Sequence, residues 1–451
     1  MINPFSKAMQ PMYATEIFGR YAEQYQEQAL PDDVIHHAKR ALVDWYASLL
    51  PGLAAAPLAQ LEHILWEDLD RGRAKLGNGR QATARAAALF NGSAAHAAEV
   101  DDSFRDAMYH PGAATIAAAL AASQDAGVNG LTFLRALVLG YEVSTRIGVV
   151  MGRPHYRYWH NTGTVGAFGA AAAASSAMGL DAKSTAHALA TAATFTAGLQ
   201  QAFRKDSMSK PLHAGRAAEA GLLAAQLAAR GVTGSLDVLD GEGGLGNAMS
   251  DGPDWSNVGD TLGSDFHIKR LTFKNHIGCG HTFAAIDAAL ALREQYGINV
   301  EDIERVSVHT YKPALDIACY DRPKSANEAR FSMHYVVATA LARGSVRLAA
   351  YEPAQLDDPL VRALMERIDA HVDPEIDAAF PGRRSAKVEV IMRNGKRLLH
   401  FQSDRKGDPE LPLSDSELNG KFMELATPVI GDSSANALLE RLWTIEKADL
   451  V

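Results

Sequence analysis

Apolar residues recur every three to four positions through most of the first 230 residues. That period predicts helices over about 13–29, 31–50, 54–70, 80–98, 112–125, 130–148 and 214–230. Pro31, followed by Asp32 and Asp33, starts the second of these with acids against the helix N-terminus, and Pro51-Gly52 stops it. From Trp159 to Leu222 the pattern is built from Ala, Gly, Ser and Thr. Gly163, Gly166, Gly169, Ala170 and Ala173 fall at three- and four-residue intervals, so one helix face is nearly flat and a neighbouring backbone can approach it closely. A run this apolar reads as a buried helix. Its end does not suit a core: Lys210 to Arg216 (KPLHAGR) brings cations that must line something polar, and an anion is the natural partner.

Beyond a polar, glycine-bearing stretch at 249–262, which marks a domain boundary, the period shortens. RVSVHT (305–310) and AKVEVI (386–391) read as strands, and RNGK (393–396) is a hairpin turn leading into RLLHF. Helices are expected between them at about 281–295 and 326–342, with a short one near 358–369, and helix returns over 415–447. GEGGLG (241–246) has neither a strand before it nor a helix after it in this reading, so it is a loop and not a phosphate cradle. The fold class is mainly α with a smaller α+β part.

Composition narrows the function. A chain of 451 residues exceeds one typical core, so two domains are expected. Aromatic residues are only 7%, and the abundance of alanine favours helix over strand. The formal charge of −9 argues against a nucleic-acid partner. An anionic substrate would therefore need locally gathered cations. Two cysteines, Cys279 and Cys319, make neither a disulfide framework nor a four-ligand zinc site and fit a reducing cytoplasm. No signal peptide is read in the first 18 residues, and no run of about 20 apolar residues is present to span a membrane.

Histidine placement supplies the candidate chemistry. Of 16 histidines, His96, His110, His160 and His213 fall beside turns or helix ends of the helical part, and His276 and His281 lie just past the boundary. Lys210 and Lys274 flank histidines in KPLH and KNH; fixed cations hold carboxylates, and imidazole moves protons near neutral pH. His96 and Glu99 at i,i+3 can share a helix face as metal ligands do, yet no second such pair follows, so no metal is expected. Cys279 has His276 and His281 near it in sequence, a setting in which a thiol can become a nucleophile. No nucleophile elbow, Walker A loop or dinucleotide fingerprint occurs.

Several long motifs resemble one family. LVDWYASLLPG (42–52), NGSAAHAAEVDDSF (91–104), HPGAATIAAALAAS (110–123), GYEVSTRIG (140–148) and WHNTGTVGAFGAAAAAS (159–175) resemble the MmgE/PrpD family. So do SKPLHAGRAAEAGLLAAQLAARGVTG (209–234), FKNHIGCGHTFAAIDAALALR (273–293) and ARFSMHYVVATALARGSV (329–346), in order. That family includes 2-methylcitrate dehydratase, cis-aconitate decarboxylase and iminodisuccinate epimerase. The resemblance implies a large all-helical domain (1–262, completed by about 405–451), a smaller α+β lid (263–404), a pocket between them, a homodimer and no cofactor.

It also implies roles. His110 matches the histidine of the family's HPG/HPS motif, His160 the one opening the small-residue helix, Lys210 the lysine of K-P-L-H, and Lys274 the lysine at the start of the second domain. With Asp102 these form the implied catalytic set. Glu99, Asp101, Ser103, His213, Arg216, His276, Cys279 and His281 are placed around the substrate. Two positions depart from the pattern: the first acid of the D-x-D-D segment is Glu99 here, and Cys279 stands where some decarboxylase members have histidine. The implied substrate is a small di- or tricarboxylate. The implied reaction is dehydration or epimerisation by proton abstraction beside a carboxylate, with decarboxylation as the alternative. The run RKDSMSKPLHAG resembles the branch containing the epimerase and the decarboxylase. A non-catalytic carboxylate-binding protein and a metal-dependent hydrolase using His96, Glu99 and Asp102 compete with this reading.

Overall fold

The computed structural model describes residues 12–203 and 207–451. The expectation on a leader peptide therefore rests largely on residues outside the described ones, as does the start of the run at 204–206. The chain divides into two compact units, one running to Leu271 and rejoined by Asp415–Val451, the other spanning Thr272–Ser414.

The helices of the first unit that matter for the site are, in chain order, α1 (Ala14–Glu27), α2 (Asp32–Gly52), α3 (Leu58–Ile64), α4 (Ala84–Ala97), α5 (Pro111–Ala126), α6 (Gly130–Tyr156), α7 (Asn161–Thr164), α8 (Gly166–Ala177), α9 (Ala182–Ala193) and α10 (Lys210–Ala228). Every residue of α8 is buried, as its composition requires. It packs against α5, α6, α9 and α10, and α10 in turn lies along α4. Small residues set these distances. A Cβ added to Gly92 of α4 would lie 2.9 Å from Cα of Gly215 in α10, and one on Gly221 would lie 2.5 Å from Cβ of Ala170 in α8. Leu, Phe and Trp fill what remains, with Phe18, Trp45, Phe133 and Phe168 almost wholly buried. The C-terminal helix Asp415–Ile430 packs on α2, and its neighbour Asp432–Trp443 packs on both.

Sequence and structure differ in several places; among them, a short helix, Leu245–Met249, follows GEGG where no helix is expected, and the expected helices over 326–342 and 415–447 are each split in two. The helix expected over 54–70 is only Leu58–Ile64, because Leu69–Lys75 forms a strand (β1) pairing with Gln81–Ala82 (β2) and α4 starts at Ala84. Helix α6 runs on past 148 to Tyr156, broken at Gly152 (φ 60°, ψ −161°) just before Pro154. Helix α10 begins at Lys210, so Pro211 sits in its first turn, where its missing N–H costs nothing. The segment after the helix Pro359–Met365 is a strand.

The second unit carries a four-stranded sheet of β3 (Ile303–Thr310), β4 (Ile368–Val372), β5 (Ala386–Met392) and β6 (Arg397–Gln402), in the order β4-β3-β5-β6. β3 and β4 are parallel, and the other pairs antiparallel. Gly395, at φ 83°, makes the expected hairpin between β5 and β6. The helices Phe283–Tyr296 and Met333–Arg343 pack on each other and on this sheet. The whole is mainly α with a small α+β part.

Candidate active site

Three helix beginnings and one helix end supply the polar groups of the first unit. His110 precedes Pro111 at the start of α5, His160 caps α7, Lys210 opens α10, and His96 closes α4. They meet in space. The His96 ring lies 5.0 Å from that of His110 and 5.5 Å from that of His160, and His160 lies 5.2 Å from His213. Thr162 Oγ1 accepts from the His110 backbone N–H at 3.3 Å, tying the starts of α5 and α7 together.

The acidic segment between α4 and α5 organises this set. Glu99, in left-handed conformation at φ 60°, faces Lys210 Nζ at 2.5 Å. Asp101 Oδ2 receives His96 Nδ1 at 2.7 Å. Asp102 is buried; its Oδ1 accepts from the Gly112 N–H at 3.0 Å and its Oδ2 from the Tyr141 hydroxyl at 2.7 Å. Half-buried Ser103 follows directly.

These bonds fix protons. His110 Nδ1 lies 2.7 Å from the Asp102 carbonyl oxygen and 3.5 Å from Asp101 Oδ2. Both are acceptors, so Nδ1 carries the hydrogen and neutral His110 holds its lone pair on Nε2. His96 likewise donates from Nδ1, and its buried Nε2 has no protein partner. His160 and His213 share one hydrogen between two Nδ1 atoms 3.0 Å apart.

Burial governs the charges. His160 is held well below the ordinary histidine range by burial first, then by His96, Lys210, His213 and His110. His213 is lowered by burial, His96 and Lys210. Both rings are therefore neutral at pH 7. Asp102 is pushed the other way, up to about 8, by burial and then by the Asp44 carboxylate, against the opposing bond from Tyr141.

Among the described residues, His96, Asp101 and His110 are the one set of His, Cys, Asp or Glu close enough to share an ion. Their spacing suits a proton better. Tetrahedral ligands on an ion about 2.1 Å away stand roughly 3.4 Å apart, whereas His96 Nδ1 and Asp101 Oδ2 are at 2.7 Å. His110 Nδ1 already donates its hydrogen and has no lone pair to offer.

The remaining sequence candidates belong to α10 and to the second unit. Arg216 is exposed, paired with Glu219 of its own helix, and lines with His213, Gly198, Leu199 and Ser209 an open cleft of about 470 Å³. Lys274, His276, Cys279 and His281 belong to the second unit. His276 Nε2 donates to Asp287 Oδ1 at 2.7 Å, a buried structural bond. His281 Nδ1 lies 2.8 Å from the Tyr311 hydroxyl and is lowered to about 4 by burial, Arg384 and Arg405. The Cys279 thiol is pushed up to about 11, chiefly by burial, against Arg405, Lys274 and Arg384. It therefore stays a thiol at neutral pH, which argues against the nucleophile reading. Sequence reasoning missed Tyr141, Thr162, Tyr311, Arg384 and Arg405, because each acts through a neighbour far away in the chain.

Comparison with known proteins points to one family. The sequence profile of the MmgE/PrpD N-terminal domain matches residues 16–258 and that of the C-terminal domain residues 276–445. The cis-aconitate decarboxylase-like protein oryM of Aspergillus oryzae is 30% identical over 448 residues, covering 93% of this chain and 90% of that protein. The cis-aconitate decarboxylase of Mus musculus is 28% identical over 385 residues, covering 81% and 77%. The 2-methylcitrate dehydratase of Salmonella typhimurium is 32% identical over 125 residues, 26% of each chain.

Proposed function

Since the chain belongs to the MmgE/PrpD family, we propose that it is a cofactor-independent lyase or isomerase of a small di- or tricarboxylic acid, moving a proton at a carbon beside a carboxylate. One observation carries the reading: His110 has its hydrogen on Nδ1, so its neutral form holds the lone pair on Nε2, and it stands in a cluster with His96, His160 and His213 beside the cation Lys210. A carbon beside a carboxylate is a poor acid, so its removal needs a neutral base and fixed positive charge where the enolate-like charge develops.

In this reading His110 Nε2 takes the proton, and the electron pair is delocalised into the adjacent carboxylate. In dehydration the hydroxyl on the next carbon then leaves as water with a proton from His160, and in epimerisation a proton returns from His160 to the opposite face; because resting His160 is neutral, that proton is replaced through His213 from the solvent of the open cleft, and His110 afterwards gives its own back to solvent. Lys210, held by Glu99, steadies a substrate carboxylate. Lys274, whose unit also carries Arg384 and Arg405 around Cys279, is assigned the same kind of duty on charge alone.

A second reading, decarboxylation, is favoured by the relatives. Those named cis-aconitate decarboxylase align over most of their length, the dehydratase over about a quarter of its own. Here the bond from carbon to carboxylate breaks, carbon dioxide leaves, and the electron pair left on carbon takes a proton from a histidine. Proton NMR in D2O with 2-methylcitrate, citrate, cis-aconitate, iminodisuccinate, tartrate and malate separates the readings. Deuterium beside a carboxylate or a new alkene signal without loss of carbon dioxide supports dehydration or epimerisation, and the same signals accompanied by carbon dioxide release support decarboxylation. A folded protein inert on every acid would favour a binding protein. The homodimer implied by the family is open to light scattering. No helix among the described residues is long and apolar enough to cross a membrane.

A further inference from the structure

Behind the acidic segment lies an ion pair that the reaction above does not use. Lys421, on the C-terminal helix Asp415–Ile430, faces Asp44 of α2 at 2.6 Å, and neither side chain has any exposed surface. The same ammonium donates to the backbone carbonyl of Val100 at 2.9 Å. Residues 377 and 321 positions apart are thus joined at one nitrogen.

Stability alone is a poor reason for such a pair. Burying two charges costs nearly as much as their attraction returns, and apolar side chains of similar volume often serve as well or better. What apolar side chains cannot do is hold a carbonyl. Val100 lies between Glu99, which faces Lys210, and Asp101, which receives His96. Fixing the Val100 carbonyl fixes the peptide plane leading into Asp101, and the carbonyl two residues on, that of Asp102, sets the hydrogen of His110.

We propose that Lys421 is a positioning residue: through the Val100 carbonyl it holds the Glu99–Asp102 segment in the register that orients His96 and His110. The proposal rests on the proton-transfer reading above and adds to it that the last helices complete the active site. Asp44 keeps the ammonium in place and also adds negative charge beside Asp102. The groups facing Asp102 are then Asp44 from α2, Tyr141 from α6, Asp101 from its own segment and the Gly112 N–H from α5.

Lys421→Met alone would strand a buried carboxylate and unfold part of the core, so the informative protein is the double variant Asp44→Leu with Lys421→Met. Its melting temperature is expected to stay within about 3 °C of wild type. Hydrogen exchange of the full-length chain should accelerate about tenfold or more at residues 97–104 and little elsewhere. On a substrate identified for the wild type, kcat should fall about tenfold or more, with the alkaline limb of the pH profile moved to lower pH as Asp102 loses its charged neighbour. A folded double variant with wild-type exchange in that segment overturns the proposal. So does accelerated exchange with wild-type kcat and pH profile, or a double variant that cannot fold, which would assign the pair to the core. A wild-type protein inert on every acid sinks the reaction instead, and the exchange data then judge the tether alone.

Discussion

His160 and His213 face each other Nδ1 to Nδ1 at 3.0 Å, so one ring donates there and the other accepts. The donor keeps its lone pair on Nε2 and the acceptor its hydrogen on Nε2. The pair thus carries one proton-donating and one proton-accepting outer edge, and a single hop between the rings exchanges the two. His160 is buried while His213 lines the open cleft. Replacing His213 by Ala removes a lowering influence on His160 and admits water beside it, and both effects raise the His160 pKa. The acid limb of kcat/KM is expected at higher pH than in wild type; a limb at the same or lower pH would break the coupling.

His110 is open to a substitution that separates its two nitrogens. Asn at this position places an N–H near that of Nδ1 and can still donate to the Asp102 carbonyl, but it has nothing in place of Nε2. His110→Asn should melt close to wild type while losing about 10²–10⁴-fold in kcat. Retained turnover would remove Nε2 as the base.

Lys210 tests the anchoring role. Its partner Glu99 is partly exposed and can be rehydrated when the lysine goes, so the fold should tolerate Lys210→Ala. An anchor used equally by ground and transition states appears as a raised KM, about tenfold or more, with kcat little changed. A fall in kcat at constant KM would instead assign the ammonium to the charge that develops during reaction. Wild-type values of both would exclude it from the site.

Legibility in the sequence followed the range of each interaction. The tight packing of α8 and α10 was readable because the absence of side chains is a local property of Gly169, Gly215 or Gly221. Strand β1 was not: of LDRGRAK only Leu69 and Ala74 are buried, too few to set a period. β4 was hidden in the same way, with one buried residue in five. The histidines could be picked out by the motifs around them, yet only the fold brings His96, His110 and His160 together. Lys421 marks the limit. In NGKFMELA it looks like any solvated lysine of an amphipathic helix, and its burial depends on Asp44, which reads as one polar residue in an apolar run.

Cys279 offers a check on that kind of reading. Its position between histidines invited a nucleophile, but burial leaves the thiol with a pKa of about 11 and almost no thiolate at neutral pH. Cys279→Ser should therefore retain activity to within about tenfold, and iodoacetamide at pH 7 should leave wild type active. A loss comparable to that expected for His110→Asn would reinstate covalent chemistry.

The stability of the protein should peak near pH 6.5, because its shifted groups pull from both sides. His37, His267 and His281 are lowered to about 4, 3 and 4, and His160 and His213 are lowered as well. Below about pH 6.5 the unfolded chain binds protons at these positions that the folded chain refuses, so stability falls as pH falls. Asp102 and Glu142 are raised to about 8 and 7. From about pH 4 upward the unfolded chain has released protons that the folded chain still holds, so their contribution is lost as pH rises through those values. Between pH 4 and 6.5 the two trends oppose each other, and the histidines outnumber the acids; above 6.5 the acids act alone. Melting temperatures taken from pH 4 to 9 at constant ionic strength should form a single maximum. A curve still rising at pH 8 would mean that Asp102 and Glu142 are ionised in the folded protein, and that the segment between α4 and α5 carries more negative charge than its burial permits.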